Sequence, residues 1–211
     1  MAKMESTLKN MLISLGGIAL VCALLLAVVN ALTEKKIARV QSEKTARAIA
    51  QVLPAFEGAP IDTVVLLDGT EFNVHKAMAG DSTVGYAVES VTAGFGGPIN
   101  LMVGFNAAGD ICSTAVISHS ETPGLGAKIT EGESHFRTQF DGRNPAEYRL
   151  KVTKDGGDVD AITASTITSR AFTAAVEKAY NVYLAASGSN TDAASSATAP
   201  QDGEGGSDEA N

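Results

Sequence analysis

Apolar residues run almost without a break from Met11 to Leu32, interrupted only by Ser14, Gly16, Gly17 and Asn30. A helix needs ~20 such residues to cross the hydrocarbon core of a bilayer. The run therefore predicts a transmembrane helix over 11–32, with 1–10 as a short segment before it. A cleaved signal peptide is the alternative: Lys3 and Lys9 give it a charged start, and Val29-Asn30-Ala31 is a tolerable cleavage site. The run is longer than the ~7–15 apolar residues of such a signal, which favours an uncleaved anchor. Val21, where a small residue is wanted before Cys22, does not suit a lipoprotein signal. From Thr33 to Leu53 the pattern turns polar, with Glu34, Lys35, Lys36, Arg39, Glu43 and Lys44 forming a solvated face. This predicts a helical stalk over 33–53 that Pro54 ends.

Beyond Pro54 the apolar period shortens. Thr63–Leu67, Phe72–Ala77, Val84–Val91, Ile99–Phe105 and Ile111–Ser118 read as strands. Asp68-Gly69 and Ala107-Ala108-Gly109-Asp110 read as turns between them, the second closing a hairpin. Glu131–Phe140 has the pattern of a short amphipathic helix with Phe136 and Phe140 inward. Leu150-Lys151-Val152 alternates like a strand before a turn at 154–158. Ile167–Ala186 has apolar residues at Ile167, Ala171, Ala175, Val176, Ala179, Tyr180, Val182 and Tyr183, close to helical spacing. Consecutive strands with short turns, followed by helices, predict an α+β domain: a mainly antiparallel sheet with packed helices, preceded by one N-terminal transmembrane helix. From 187 to 211 the chain is Ser, Gly, Ala and acid without Lys or Arg. Such a segment buries too little apolar surface to offset ordering, and a disordered acidic tail is expected.

Charge narrows the function classes. The net charge is −8 and no basic stripe is visible, so a nucleic-acid surface is not expected. Trp is absent. The two cysteines, Cys22 in the membrane run and Cys112 in a strand, have no metal-ligand neighbours at short spacing, and no disulfide or metal site is expected. His119 and His135 lack the partners of a catalytic triad and are given structural or surface roles, so no catalytic residue is named.

Chemistry gathers at the start of the last helix. Thr163, Ser165, Thr166 and Thr168 fall where free backbone N–H groups and the positive end of the helix dipole favour an anion such as phosphate. Ser and Thr are also preferred N-caps, and one of them can simply cap the helix. Two loops interrupt the sheet. Gly94-Phe95-Gly96-Gly97-Pro98-Ile99 lets main chain approach a flat ligand or makes a tight turn, and without a following Lys-Ser/Thr it is no Walker motif. His119-Ser120-Glu121-Thr122-Pro123-Gly124-Leu125-Gly126-Ala127-Lys128-Ile129 contains a Pro-Gly turn.

Three strings together resemble one family. Asp160-Ala161-Ile162-Thr163-Ala164-Ser165-Thr166-Ile167-Thr168 is similar to the flavinylation motif of the FMN-binding domain family. The glycine-aromatic loop and Glu121-Thr122-Pro123-Gly124-Leu125-Gly126 are similar to that family's other signatures. The family includes the G subunit of Rnf-type ion-translocating electron-transport complexes and the C subunit of the sodium-translocating NADH:quinone reductase. The resemblance implies FMN esterified through its phosphate to a Thr within a Ser-Gly-Ala-Thr-like core. Aligned on that core, Thr166 is the modified hydroxyl and Thr168 the next candidate, with Ala164 in place of Gly and Ser165 in place of Ala. It points to Glu121, Thr122 and Leu125 as flavin neighbours. Beside them, Gly96, Gly97, Gly124 and Gly126 let main chain approach a flat ring, and Thr163 and Ser165 belong to the hydroxyl cluster where a phosphate is favoured. The FMN-binding domain would span 54–186.

The same resemblance implies an electron-carrying subunit of a membrane translocase, with no turnover expected from the isolated chain. Its partners would be the other subunits of the redox complex, a flavin transferase that uses FAD and Mg2+, and the lipid bilayer through residues 11–32. It places the chain in the cytoplasmic membrane as a single-pass protein with the flavin domain on the periplasmic side. Charge alone says otherwise. Lys35, Lys36, Arg39, Lys44 and Arg47 follow the apolar run, against Lys3 and Lys9 before it, which by the positive-inside rule keeps the C-terminal side in the cytoplasm. Large domains cross despite such charges, and the expectation here follows the resemblance. A membrane-tethered scaffold whose hydroxyls only cap the helix is the reading of another class.

Overall fold

All five segments read as strands form strands. In the computed structural model, which describes residues 8–130 and 135–188, five strands follow one another: β1 (Ile61–Leu67), β2 (Thr70–Ala79), β3 (Ser82–Ala93), β4 (Pro98–Asn106) and β5 (Ile111–His119). Each extends the expected segment by at most two residues at either end. Every strand pairs antiparallel with the next, so the spatial order is the chain order. The β1–β2 turn shows why the local sequence suffices. Leu67 pairs with Thr70, leaving Asp68 and Gly69 as the two turn residues, at φ 51° and 74°. Two positive φ values define the hairpin turn that matches strand twist, and Asp-Gly is a favoured pair for it.

Among the described residues, two α-helices accompany the sheet. The first, α1 (Leu8–Val52), is one continuous helix, and the chain divides within it, at Arg47/Ala48, into two compact units. In the first unit the apolar side chains from Met11 to Leu32 are exposed all round the helix, which is long and apolar enough to cross a membrane. In the second unit the last turn of α1 does not form the solvated stalk that the polar pattern predicts. Ala48, Ile49, Val52 and Leu53 are buried against Ala77, Ala87, Met102, Ala115 and Ile117, on one face of the sheet. The contact is close because β4 has no side chain there: a Cβ at Gly104 would lie 2.7 Å from the Val52 carbonyl carbon and 2.9 Å from its Cβ.

The opposite face carries the larger core. Val88, Ile99, Leu101, Val103 and Phe105 point to α2 (Thr166–Ser187), which buries Ala171, Phe172, Ala175, Val176, Ala179, Val182 and Tyr183. Phe105 stacks on Tyr183 with ring centroids 5.0 Å apart. Gly188 closes the helix in the left-handed region, its N–H donating to Leu184 O.

Two segments between β5 and α2 differ from expectation. Leu150–Val152 is not a strand. Leu150 and Val152 alternate inward as predicted, but the chain then folds back through a 3-10 turn (Thr153–Asp155) ending at Gly156, φ 80°. A single bridge, Val152 to Val159, is what remains of strand pairing in this stretch. The expected helix over 131–140 reduces, in its described part, to a turn and a 3-10 helix (Thr138–Phe140). Phe136 and Phe140 do point inward, their centroids 5.3 and 5.5 Å from that of Phe172. Residues 1–7 of the N-terminal segment, 131–134 of this stretch and 189–211 of the expected tail lie outside the described residues.

Candidate functional site

The start of α2 is built to leave donors free. Ser165 occupies the N-cap position with φ −135° and ψ 40°, yet its side chain makes no cap hydrogen bond. Its hydroxyl is instead buried and has no partner among the described residues. The N–H groups of Thr166, Ile167 and Thr168 likewise meet no acceptor there, as the first donors of a helix do not unless capped. Simple capping thus does not account for the hydroxyl cluster. Ala164, just before the cap, has φ 62°, a region that costs an L-residue energy and that glycine enters freely.

What fixes this junction is a set of bonds around the first turn. Ser169 donates its hydroxyl to Ser165 O at 3.0 Å, and the Ser169 hydroxyl oxygen accepts the Ile162 N–H at 3.0 Å. Thr168, fully buried, donates to Glu121 Oε2 at 2.7 Å. The other oxygen of that carboxylate, Oε1, accepts the Gly96 N–H at 3.1 Å. Glu121 is itself buried, and its N–H donates to His119 Nδ1 at 3.1 Å. One carboxylate therefore ties together the glycine turn after β3, the loop after β5 and the head of α2, segments far apart in the chain.

Between these three segments lies a cleft of about 400 Å3 lined by Phe95, Glu121, Thr122, Leu125, Gly126, Ala164, Ser165, Thr166, Ile167 and Thr168. Its volume falls within the ~300–1,000 Å3 range of small-molecule sites. One end is polar, with the free N–H groups and hydroxyls of the α2 start. The rim is apolar, with Phe95, Leu125 and Ile167 exposed by 69%, 43% and 53%. Thr166 is half-buried and lines the cleft; Thr168 lines it too, but its hydroxyl is committed to Glu121.

Most of the residues singled out from sequence thus meet in one place: Glu121, Thr122, Leu125, Gly126, Ser165 and Thr166. Gly96 is joined to them through Glu121, and Gly97 closes the same turn by accepting the Gly94 N–H at 2.8 Å. Thr163 lines a neighbouring cleft, with His135, Gln139 and Asp160. Sequence reasoning missed two rim residues. Helical spacing places Ile167 among the inward positions, but it is exposed, and in this first turn the inward places are taken by Thr168 and Ser169. The sequence shows Phe95 only as part of a glycine loop, and its direction follows from the turn.

The donor set fits an anionic group with a planar apolar body: unfilled N–H groups and an orphaned hydroxyl at a positive helix end, next to an open apolar rim. The FMN-binding domain family matches residues 94–181, and the RnfG N-terminal region matches residues 1–52. The G subunit of the ion-translocating oxidoreductase complex of Shewanella piezotolerans is 34% identical over 188 residues, covering 83% of this chain and 88% of the relative. That of Pseudomonas aeruginosa is 34% identical over 195 residues, covering 86% and 91%. Among solved structures, the Shewanella oneidensis NqrC aligns at 18% identity with a TM-score of 0.45, over 61% of this chain and 70% of that one.

Proposed function

The chain belongs to the family of G subunits of ion-translocating oxidoreductase complexes, and from that premise we propose that Thr166 carries FMN in phosphoester linkage. A subunit of such a complex with an FMN-binding domain serves electron transfer, and bound FMN supplies the redox chemistry. What this chain supplies is attachment and surroundings. The observation that carries the proposal is the polar end of the cleft: Thr166 presents a reachable hydroxyl beside three N–H groups and a Ser165 hydroxyl that have no partner among the described residues. The N–H groups and the helix dipole would hold the phosphate. An ester at phosphorus leaves the flavin ring electronics nearly unchanged, so hydrogen bonds and burial tune its potential. What the bond adds is permanence for a carrier in contact with water.

Among the described residues Thr166 has no free basic side chain lining the cleft with it: Glu121 is bonded to Gly96 and Thr168. This supports loading by a separate flavin transferase, which would transfer the FMN part of FAD to the hydroxyl and release AMP. The same reading puts the flavin domain, residues 54–186 together with the end of α1, on the periplasmic side of the cytoplasmic membrane. It expects no turnover from the isolated chain. Glu121 acts first as a strut, and its remaining lone pairs, with the Thr122 hydroxyl, would face the polar edge of the ring.

The test is flavin fluorescence in a denaturing gel, on protein from a host with the transferase. Thr166→Ala is expected to abolish a signal that survives denaturation. Thr168→Ala is expected to keep it, at the cost of about 1–3 kcal/mol of stability for leaving the buried Glu121 oxygen without its donor. Signal lost with Thr168 and kept without Thr166 would move the attachment site, and no signal in the wild type would favour the scaffold reading.

A further inference from the structure

The cleft holds more apolar rim than a phosphate tether requires. Outside α1, the exposed large apolar side chains among the described residues number seven, and three of them, Phe95, Leu125 and Ile167, line this one cleft. Phe95 is the most exposed of the seven, at 69%. It is not on a loose loop. Ala93 and Pro98 are still paired across the hairpin, the Gly94 N–H donates to Gly97 O at 2.8 Å, and the Gly96 N–H donates to Glu121 Oε1. A Cβ at Gly97 would come within 2.8 Å of the Ser120 Cβ. The turn is therefore packed on the following loop on one side and presents Phe95 to the cleft on the other. A large aromatic side chain held in water by so fixed a turn gains from whatever covers it.

Resting on the proposed attachment of FMN to Thr166, we propose that Phe95 is a positioning residue for the flavin: it forms one wall of the isoalloxazine site, with Leu125 and Ile167 as the other apolar contacts. Thr166 then only tethers the cofactor, and Phe95 decides whether the ring is held in the cleft and shielded from water. Aromatic rings pair with flat π-systems in offset or edge-on arrangements, and isoalloxazine is such a partner. The role of Glu121 follows: by bracing both Gly96 and Thr168 it fixes the wall relative to the tether.

The experiment compares Phe95→Ala with wild type in the full chain, loaded in a transferase-containing host and purified from membranes. Label per chain is read by denaturing gel fluorescence. Ring mobility and access are then read on the folded protein by flavin fluorescence anisotropy and by iodide quenching. Phe95 is exposed, so its truncation leaves no core cavity. The expected result is unchanged label with lower anisotropy and at least a roughly twofold higher quenching constant, and Phe95→Tyr close to wild type. Phe95→Leu gives the same comparison if the alanine variant loads poorly, with an intermediate quenching constant expected. Full label with unchanged anisotropy and quenching in Phe95→Ala or Phe95→Leu would overturn the proposal and leave Phe95 facing something other than the flavin. Loss of label from wild type would instead sink the attachment on which it rests.

Discussion

Ala164 shows most plainly what one residue decides. Its φ of 62° belongs to the turn that the Ser165 N–H closes on Ile162 O at 3.0 Å, and the resemblance puts glycine at this position. An alanine there carries strain that glycine would not, partly offset by the greater freedom of glycine in the unfolded chain. Ala164→Gly is therefore expected to stabilise the domain by about 1 kcal/mol, measured by urea denaturation. A loss of stability would mean that the methyl group makes a contact outweighing the strain. Glu121 makes the complementary point. The resemblance proposes it as a flavin neighbour, and it lines the cleft, but its carboxylate is first a structural joint between Gly96 and Thr168. No pattern along the chain could reveal that, because the three partners come from three different elements.

At the scale of elements, two contacts hold the frame on which the cleft is built. The last turn of α1 lies against β4 at Gly104, where an added methyl group meets Val52 backbone. Gly104→Ala is expected to cost about 1–3 kcal/mol through overpacking and to speed hydrogen exchange in 48–53; unchanged stability would show that the helix end yields easily. On the other face, Asp155 accepts both Arg170 Nε and Nη2 at 2.7 Å, tying the 3-10 turn before the motif to α2. The Arg170 hydrogen bonds hold the Asp155 carboxyl below its usual range. A folded-state pKa below the unfolded value means stabilisation that is fully present above the ordinary carboxylate value of about 3.9 and is lost as pH falls through the folded value. Asp155→Asn should lower Tm at neutral pH, with the gap to wild type closing in acid below that value. A gap that persists at about pH 2 would show that the loss is not ionic. The expected strand at Leu150–Val152 failed for a reason of the same scale: alternation describes which side chains turn inward, and the segment turned inward without a neighbouring strand to pair with.

For the molecule as a whole, the side of the membrane that the second unit occupies carries the most consequence. The positive residues after the apolar run and the proposed periplasmic flavin domain disagree. Asp81→Cys in a Cys22→Ser background places a thiol in the exposed β2–β3 turn. Labelling by a membrane-impermeant maleimide in intact spheroplasts is expected; labelling only after lysis would put the domain in the cytoplasm. The sequence by itself determined the apolar helix, the five strands and their turns, and the helix α2, because each rests on local periodicity and on turn residues with a fixed backbone preference. Through its resemblance it also named most of the residues that line the cleft. Only the tertiary structure decided that the end of α1 covers one face of the sheet, that Ile167 and Phe95 face the cleft, and that Glu121 joins three segments. Those are matters of direction and of contact between distant parts of the chain, which close packing settles and a linear pattern does not encode.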